Sequence, residues 1–143
     1  MTEVLVVDDS LTLRQLIRAT LEPAGYVVTE ATDGSEGLAA LRSSTVPLVV
    51  LLDYQMPNMD GMEVLQAVVD AGGPLLAHDF IVISANQATF PDVFIDLLRH
   101  LSIRVLAKPF DREVLLSAVG QAAERLASPT GSVIPPEDDS NTQ

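Results

Sequence analysis

Five short runs rich in Val, Ile and Leu recur along this chain, each followed by a stretch whose apolar residues repeat at helical spacing, and that alternation leaves few folds open. Four of the runs, Val4 to Val7, Leu48 to Leu52, Phe80 to Ile83 and Ile103 to Ala107, are strongly apolar and read as buried strands. The fifth, Tyr26 to Glu30, is more polar and reads as an edge strand. The first helical stripe holds Leu13, Leu16, Ile17, Thr20 and Leu21; the last holds Leu115, Ala118, Val119, Ala122 and Leu126. Between them lie Leu38 with Leu41, Val64 and Leu65 with Val68 and Val69, and Val93 and Phe94 with Leu97 and Leu98. Asp33 with Glu36 and Asp60 with Glu63 have capping-box spacing, Asp111 suits an N-cap, and Pro91 suits a first helical residue. The pattern predicts a doubly wound α/β fold, a parallel sheet with helices on both faces.

Residues 1–126 are expected to form one domain and 127–143 a disordered acidic tail or truncated linker, since from Ser128 onward Val133 and Ile134 are the only strongly apolar residues. Nothing after residue 126 is expected to fold into an output domain. The chain has 20 acidic side chains against 8 basic ones, a net charge of −12, which argues against direct DNA binding. It has no cysteine, which excludes disulfides, thiolate metal sites and thiol catalysis. The longest of the apolar runs, Leu48 to Leu52, is far below the roughly 20 residues that span a bilayer, and no signal pattern opens the chain. A cytoplasmic protein without membrane insertion is the expectation.

In an open parallel sheet, ligands bind beyond the carboxyl ends of the strands. The first run ends in Asp8, Asp9 and Ser10, the third in Asp53, the fourth in Ser84, Ala85 and Asn86, and the fifth in Lys108, the only lysine in the sequence. Clustered carboxylates repel one another unless a cation compensates them, and an oxygen-only donor set suits Mg²⁺. A carboxylate nucleophile beside such an ion and a lysine can accept a phosphoryl group as an acyl phosphate. Read singly, Asp8 and Asp9 could cap a helix, Asp53 could be a loop acid and Lys108 a surface residue at a turn; the plan that unites them favours the shared site.

Four motifs at these strand ends, VLVVDDS at 4–10, LLDYQMPNMDG at 51–61, VISA at 82–85 and LAKPF at 106–110, resemble the receiver domain of two-component response regulators. The resemblance covers about residues 2–126 and includes the single-domain chemotaxis type. It implies a flavodoxin-like five-stranded parallel sheet of order 2-1-3-4-5 with five helices. It also implies that Asp53 is the phosphoacceptor, that Asp9, Asp53 and the Gln55 backbone carbonyl bind Mg²⁺ directly, and that Asp8 acts through a water. Ser84 and Lys108 would contact the phosphoryl oxygens, with the Ala85 N–H beside them, and the Lys108–Pro109 bond would be cis.

The same resemblance implies a signalling switch rather than an enzyme with its own substrate, one that catalyses only its own aspartyl phosphorylation and dephosphorylation. It would be fed by a histidine kinase or histidine phosphotransfer protein, and would act on a downstream protein target through the face of the fourth helix, fifth strand and fifth helix. Weak homodimerisation through that face is compatible with this plan. Val105 departs from the aromatic usual three residues before the lysine, and the Ser84 to Lys108 stretch is about two residues longer than usual, with Phe90 and Phe94 inside it. Tyr54 reads as packing or pocket rim, and His78 and His100 as structural or surface residues. A phosphohydrolase would typically carry an acid where Gln55 stands, and a flavin carrier would not place Asp8 and Asp9 against a phosphate. A receiver that binds partners without phosphorylation would not need all five site residues.

Overall fold

A computed structural model describes residues 2–127, and these form a five-stranded parallel sheet of order β2-β1-β3-β4-β5 with helices on both faces. The strands are β1 (Glu3–Val7), β2 (Val27–Ala31), β3 (Val49–Asp53), β4 (Asp79–Ser84) and β5 (Arg104–Ala107). The helices are α1 (Leu11–Leu21), α2 (Gly34–Ser43), α3 (Gly61–Ala71), α4 (Asp92–Leu101) and α5 (Arg112–Ala127). The doubly wound class, the strand order and the five helices are those expected. The domain limit read at residue 126 falls one residue before the end of α5, and 128–143, the remainder of the expected tail, lie outside the described residues.

Each central strand divides its side chains between two cores, as a period of two requires. Leu5, Val7, Val50, Leu52, Phe80 and Val82 pack beneath α2, α3 and α4, with Leu38, Val64, Val68, Phe94 and Leu98. Val4, Val6, Val49, Leu51, Ile81 and Ile83 pack beneath α1 and α5, with Ile17, Leu21, Leu115 and Val119. Every residue of β3 is buried. Each such Val or Leu contributes about 1.5–3 kcal/mol of transfer free energy, so the sheet's central strands anchor the fold.

Capping follows the sequence closely. Asp60 and Glu63 form a reciprocal capping box, and Asp111 Oδ1 accepts the Val114 N–H. Asp33 accepts from the Glu36 N–H, while the Glu36 carboxylate reaches one residue further back, to the Thr32 N–H. Pro91 is the N-cap of α4 and not its first helical residue. Two stripe assignments are corrected. Leu16 is 54% exposed, and Arg14, not Leu16, turns inward on α1; Val93 is 61% exposed, while Phe94 fills the core. A stripe fixes a helix face only to within a residue at its margins, and the neighbouring strands decide which marginal residue is covered.

Candidate functional site

Register places the site. Val7 of β1 pairs with Leu52 of β3, and Ser84 of β4 with Ala107 of β5, so Asp8, Asp53, Ser84 and Lys108 emerge at one level on the carboxyl edge. Three hydrogen bonds carry the ladder past the strand ends: Asp8 N–H to the Ala31 carbonyl, Tyr54 N–H to Ile83 and Lys108 N–H to Ser84. Strand order reverses between β1 and β3, where such sheets open a crevice.

Asp8 and Asp53 are buried and Asp9 is exposed, yet one oxygen from each lies within 4.8 Å of the others. Lys108 Nζ lies 3.0 Å from Asp53 Oδ1 and 3.7 Å from Asp8 Oδ2. Ser84 is buried, and its Oγ accepts the Asn86 N–H at 3.1 Å, which leaves the hydroxyl proton available to donate. Asp9, Asp53, Gln55, Ser84, Ala85 and Lys108 line a cavity of about 200 Å³. The Lys108–Pro109 bond is cis. The structure thus brings together every residue that the sequence nominated.

Burial pushes the Asp53 carboxyl up to about 6, the Asp8 charge adds to the rise, and the Lys108 ammonium opposes it. Asp8 is also raised, first by burial, against the opposing pull of the Ser10 N–H and of Lys108. Asp8 Oδ2 is buried without a hydrogen-bond partner. A buried carboxylate oxygen left without a donor is costly, and a cation is the natural partner. The three carboxylates, with no nitrogen or sulfur donor among them, fit a hard divalent ion.

Local chain chemistry shapes the rim. Ser10, not Asp8 or Asp9, caps α1, its Oγ accepting the Leu13 N–H, so the two aspartates are free of that duty. The loop after Asp53 folds back until the Gly61 N–H reaches the Tyr54 carbonyl at 2.9 Å. A Cβ on Gly61 would stand 2.9 Å from the Asp53 carbonyl oxygen, so only glycine allows this approach. Tyr54 packs against Phe90 and Phe94 with ring centroids 4.6 and 4.8 Å apart and against the core behind them, so of the two roles left open for it, packing is the one observed. His78 is buried, its Nδ1 accepting the Leu48 N–H, and His100 is exposed; both stand apart from the site.

Sequence reasoning missed Arg14, which donates to the Asp8 carbonyl from inside α1; an arginine between Leu13 and Ile17 was the available signal. A larger cavity of about 930 Å³ lies at the opposite end of the sheet, beside Pro47, His78 and the Asp79–Arg125 ion pair. It holds none of the clustered carboxylates. Among the described residues, no helix is long and apolar enough to cross a membrane.

The family model of the response regulator receiver domain matches residues 4–120. Among curated relatives, protein PilG of Pseudomonas aeruginosa is 30% identical over 117 residues, covering 82% of this chain and 84% of its own. The CAI-1 autoinducer sensor kinase/phosphatase CqsS of Vibrio cholerae is 32% identical over 119 residues, 81% of this chain but 16% of that protein. The chain likewise spans 57% of the transcriptional regulatory protein CseB of Streptomyces avermitilis and 25% of the C4-dicarboxylate transport regulator DctD of P. aeruginosa. Among solved structures, the chemotaxis protein CheY4 of V. cholerae superimposes with a TM-score of 0.72 at 32% identity, over 85% of this chain and 98% of that one. A Francisella response regulator receiver domain gives 0.75 at 29% identity, over 87% of this chain and 98% of that one.

Proposed function

Because this chain belongs to the response regulator receiver family of two-component signalling, we propose that it takes a phosphoryl group onto Asp53 and that the modified carboxylate changes partner binding. The observation that carries this reading is the Lys108 ammonium 3.0 Å from Asp53 Oδ1, at the mouth of a crevice shared with Asp8, Asp9 and Ser84.

An Asp53 carboxylate oxygen attacks the phosphorus of a donor phosphohistidine; the new O–P bond forms as the P–N bond breaks, and the leaving imidazole takes a proton. Attack needs the ionised carboxylate, which Lys108 favours against the effect of burial. Lys108 and the Ser84 hydroxyl then hold phosphoryl oxygens, with the Ala85 N–H beside them. Asp8, Asp9, Asp53 and the Gln55 backbone carbonyl would hold Mg²⁺. When bound, such an ion would supply charge neutralisation at the phosphoryl oxygens. The chain is in this reading a phosphoacceptor that catalyses its own phosphorylation and dephosphorylation, with no separate substrate.

The donor is a histidine kinase or phosphotransfer protein, and the output is a downstream protein target. Ser84 ends β4, ahead of the loop into α4, and Lys108 directly follows β5, so a phosphoryl group gripped by both pulls on α4, β5 and α5 together. That face is the proposed output surface. Direct DNA contact has no support in the −12 charge, and residues 1–126 are the proposed functional unit, acting in the cytoplasm. The test is incubation with a small acyl phosphate and Mg²⁺, followed by intact mass, with one phosphoryl group added as the expected result. Turnover of a phosphate ester without a labelled protein would favour a phosphohydrolase instead.

A further inference from the structure

Asp8 is held at every polar atom but one. Its N–H donates to the Ala31 carbonyl at 3.1 Å, its Oδ1 accepts the Ser10 N–H at 2.8 Å, and its carbonyl accepts Arg14 Nη1 at 2.7 Å. Oδ2, buried and without a hydrogen bond, is the remaining atom. Arg14 is 8% exposed, and its Nε donates to Glu30 Oε1 on β2 at 2.8 Å. Glu30 is steadied in turn by Arg18, whose Nε donates to Oε2 at 2.8 Å and which also pairs with Glu22. Burying a guanidinium is costly unless its N–H groups are used, and these are used on the edge strand and on the loop of the site.

We propose that Arg14 is a positioning residue for the divalent-ion site: by clamping the Asp8 carbonyl to Glu30, it aims Asp8 Oδ2 and sets the path of Asp9. The proposal rests on the metal reading above. Arg14 does not touch the ion or the phosphoryl group; it acts through Asp8. Removal of an outer partner that orients a ligand costs about 10–100-fold in metal affinity. Charge alone has the opposite sign. A cation near the site weakens binding of another cation, so if Arg14 acted only by its charge, neutralising it would tighten Mg²⁺ binding.

That difference in sign supplies the experiment. Mg²⁺ alone is titrated into the full chain and binding is followed by backbone amide shifts. Arg14→Met is expected to weaken binding about 10-fold or more. Arg14→Lys keeps the positive charge but lacks the fork that spans the Asp8 carbonyl and Glu30, and is expected to weaken binding by a smaller factor, where charge alone would leave it unchanged. At saturating Mg²⁺, phosphoryl uptake from a small donor is expected to return close to the parent rate, because the defect lies in ion affinity. Should Arg14→Met fail to fold, Arg14→Lys, which keeps the charge, carries the test. A parent that binds Mg²⁺ beside variants that bind as tightly or tighter overturns the proposal alone. A parent that does not bind Mg²⁺ overturns the metal reading itself, and the role of Arg14 falls with it.

Discussion

The Lys108 ammonium nitrogen lies 3.0 Å from Asp53 Oδ1, a contact between residues 55 positions apart that joins the end of β5 to the end of β3. The same nitrogen is 3.7 Å from Asp8 Oδ2, so one cation serves two buried carboxylates. Lys108→Met removes that cation and leaves the acidic trio uncompensated. Two effects of opposite sign are expected: Mg²⁺ binds at least as tightly as to the parent, while phosphoryl uptake slows by about 10²-fold or more. Amide-shift titration reads the first and time-resolved intact mass the second. Weakened Mg²⁺ binding would contradict the arrangement.

Asp53 carries a pH signature. Its folded carboxyl titrates at about 6 against an ordinary 3.8, so the charged form is penalised in the fold. The penalty is complete above about 6, shrinks as pH falls through that value, and vanishes below 3.8, where folded and unfolded chains are both protonated. Asp53→Asn should therefore stabilise the chain in chelator at pH 7.5 by roughly 1–2 kcal/mol, allowing for solvent screening. The gain should fade as the medium is acidified toward pH 4. Urea denaturation across that range is the measurement, and a gain independent of pH would contradict the burial of this carboxyl.

Gly61 lets the loop after Asp53 turn back on itself. A Cβ there meets the Asp53 carbonyl oxygen at 2.9 Å and the Tyr54 Cα at 3.0 Å, both main-chain atoms that cannot step aside without moving Asp53. Gly61→Ala should cost about 1–3 kcal/mol in urea denaturation and slow phosphoryl uptake together. A loss of stability with an unchanged uptake rate would separate the loop from the site.

Neighbours on α4 should behave differently. Phe94 is fully buried and stands with Phe90 at a ring distance of 4.9 Å, edge to face, whereas Val93 is 61% exposed. Phe94→Ala should cost about 3–5 kcal/mol. Val93→Ala should stay within about 0.5 kcal/mol. Similar losses in urea denaturation would contradict the orientation of the helix.

Much of this was legible in the residues themselves. Continuous apolar runs such as Val49 to Leu52 announce buried parallel strands, and the chemistry at their ends, Asp8, Asp53, Ser84 and Lys108, converges because the topology of such sheets converges. What escaped depends on contacts between elements. Helical periodicity ranks Leu16 above Arg14 for the inner face of α1, yet Glu30 on β2 and the Asp8 carbonyl together draw the arginine inward. β4 starts at Asp79, ahead of its apolar run, because the Asp79 N–H pairs with the Leu48 carbonyl and its carboxylate with Arg125. Nor does the one-dimensional pattern show that Tyr54, Phe90 and Phe94 gather their rings into one cluster; the loop after β4 decides that.

The most direct measurement is intact mass of the parent and of Asp53→Asn after incubation with a small acyl phosphate and Mg²⁺, with a chelator control. The expected result is a single phosphoryl adduct on the parent, lost in chelator and absent from the variant. An adduct on Asp53→Asn at the parent's level, or a parent that stays unlabelled at saturating donor and Mg²⁺, would contradict Asp53 as the phosphoacceptor.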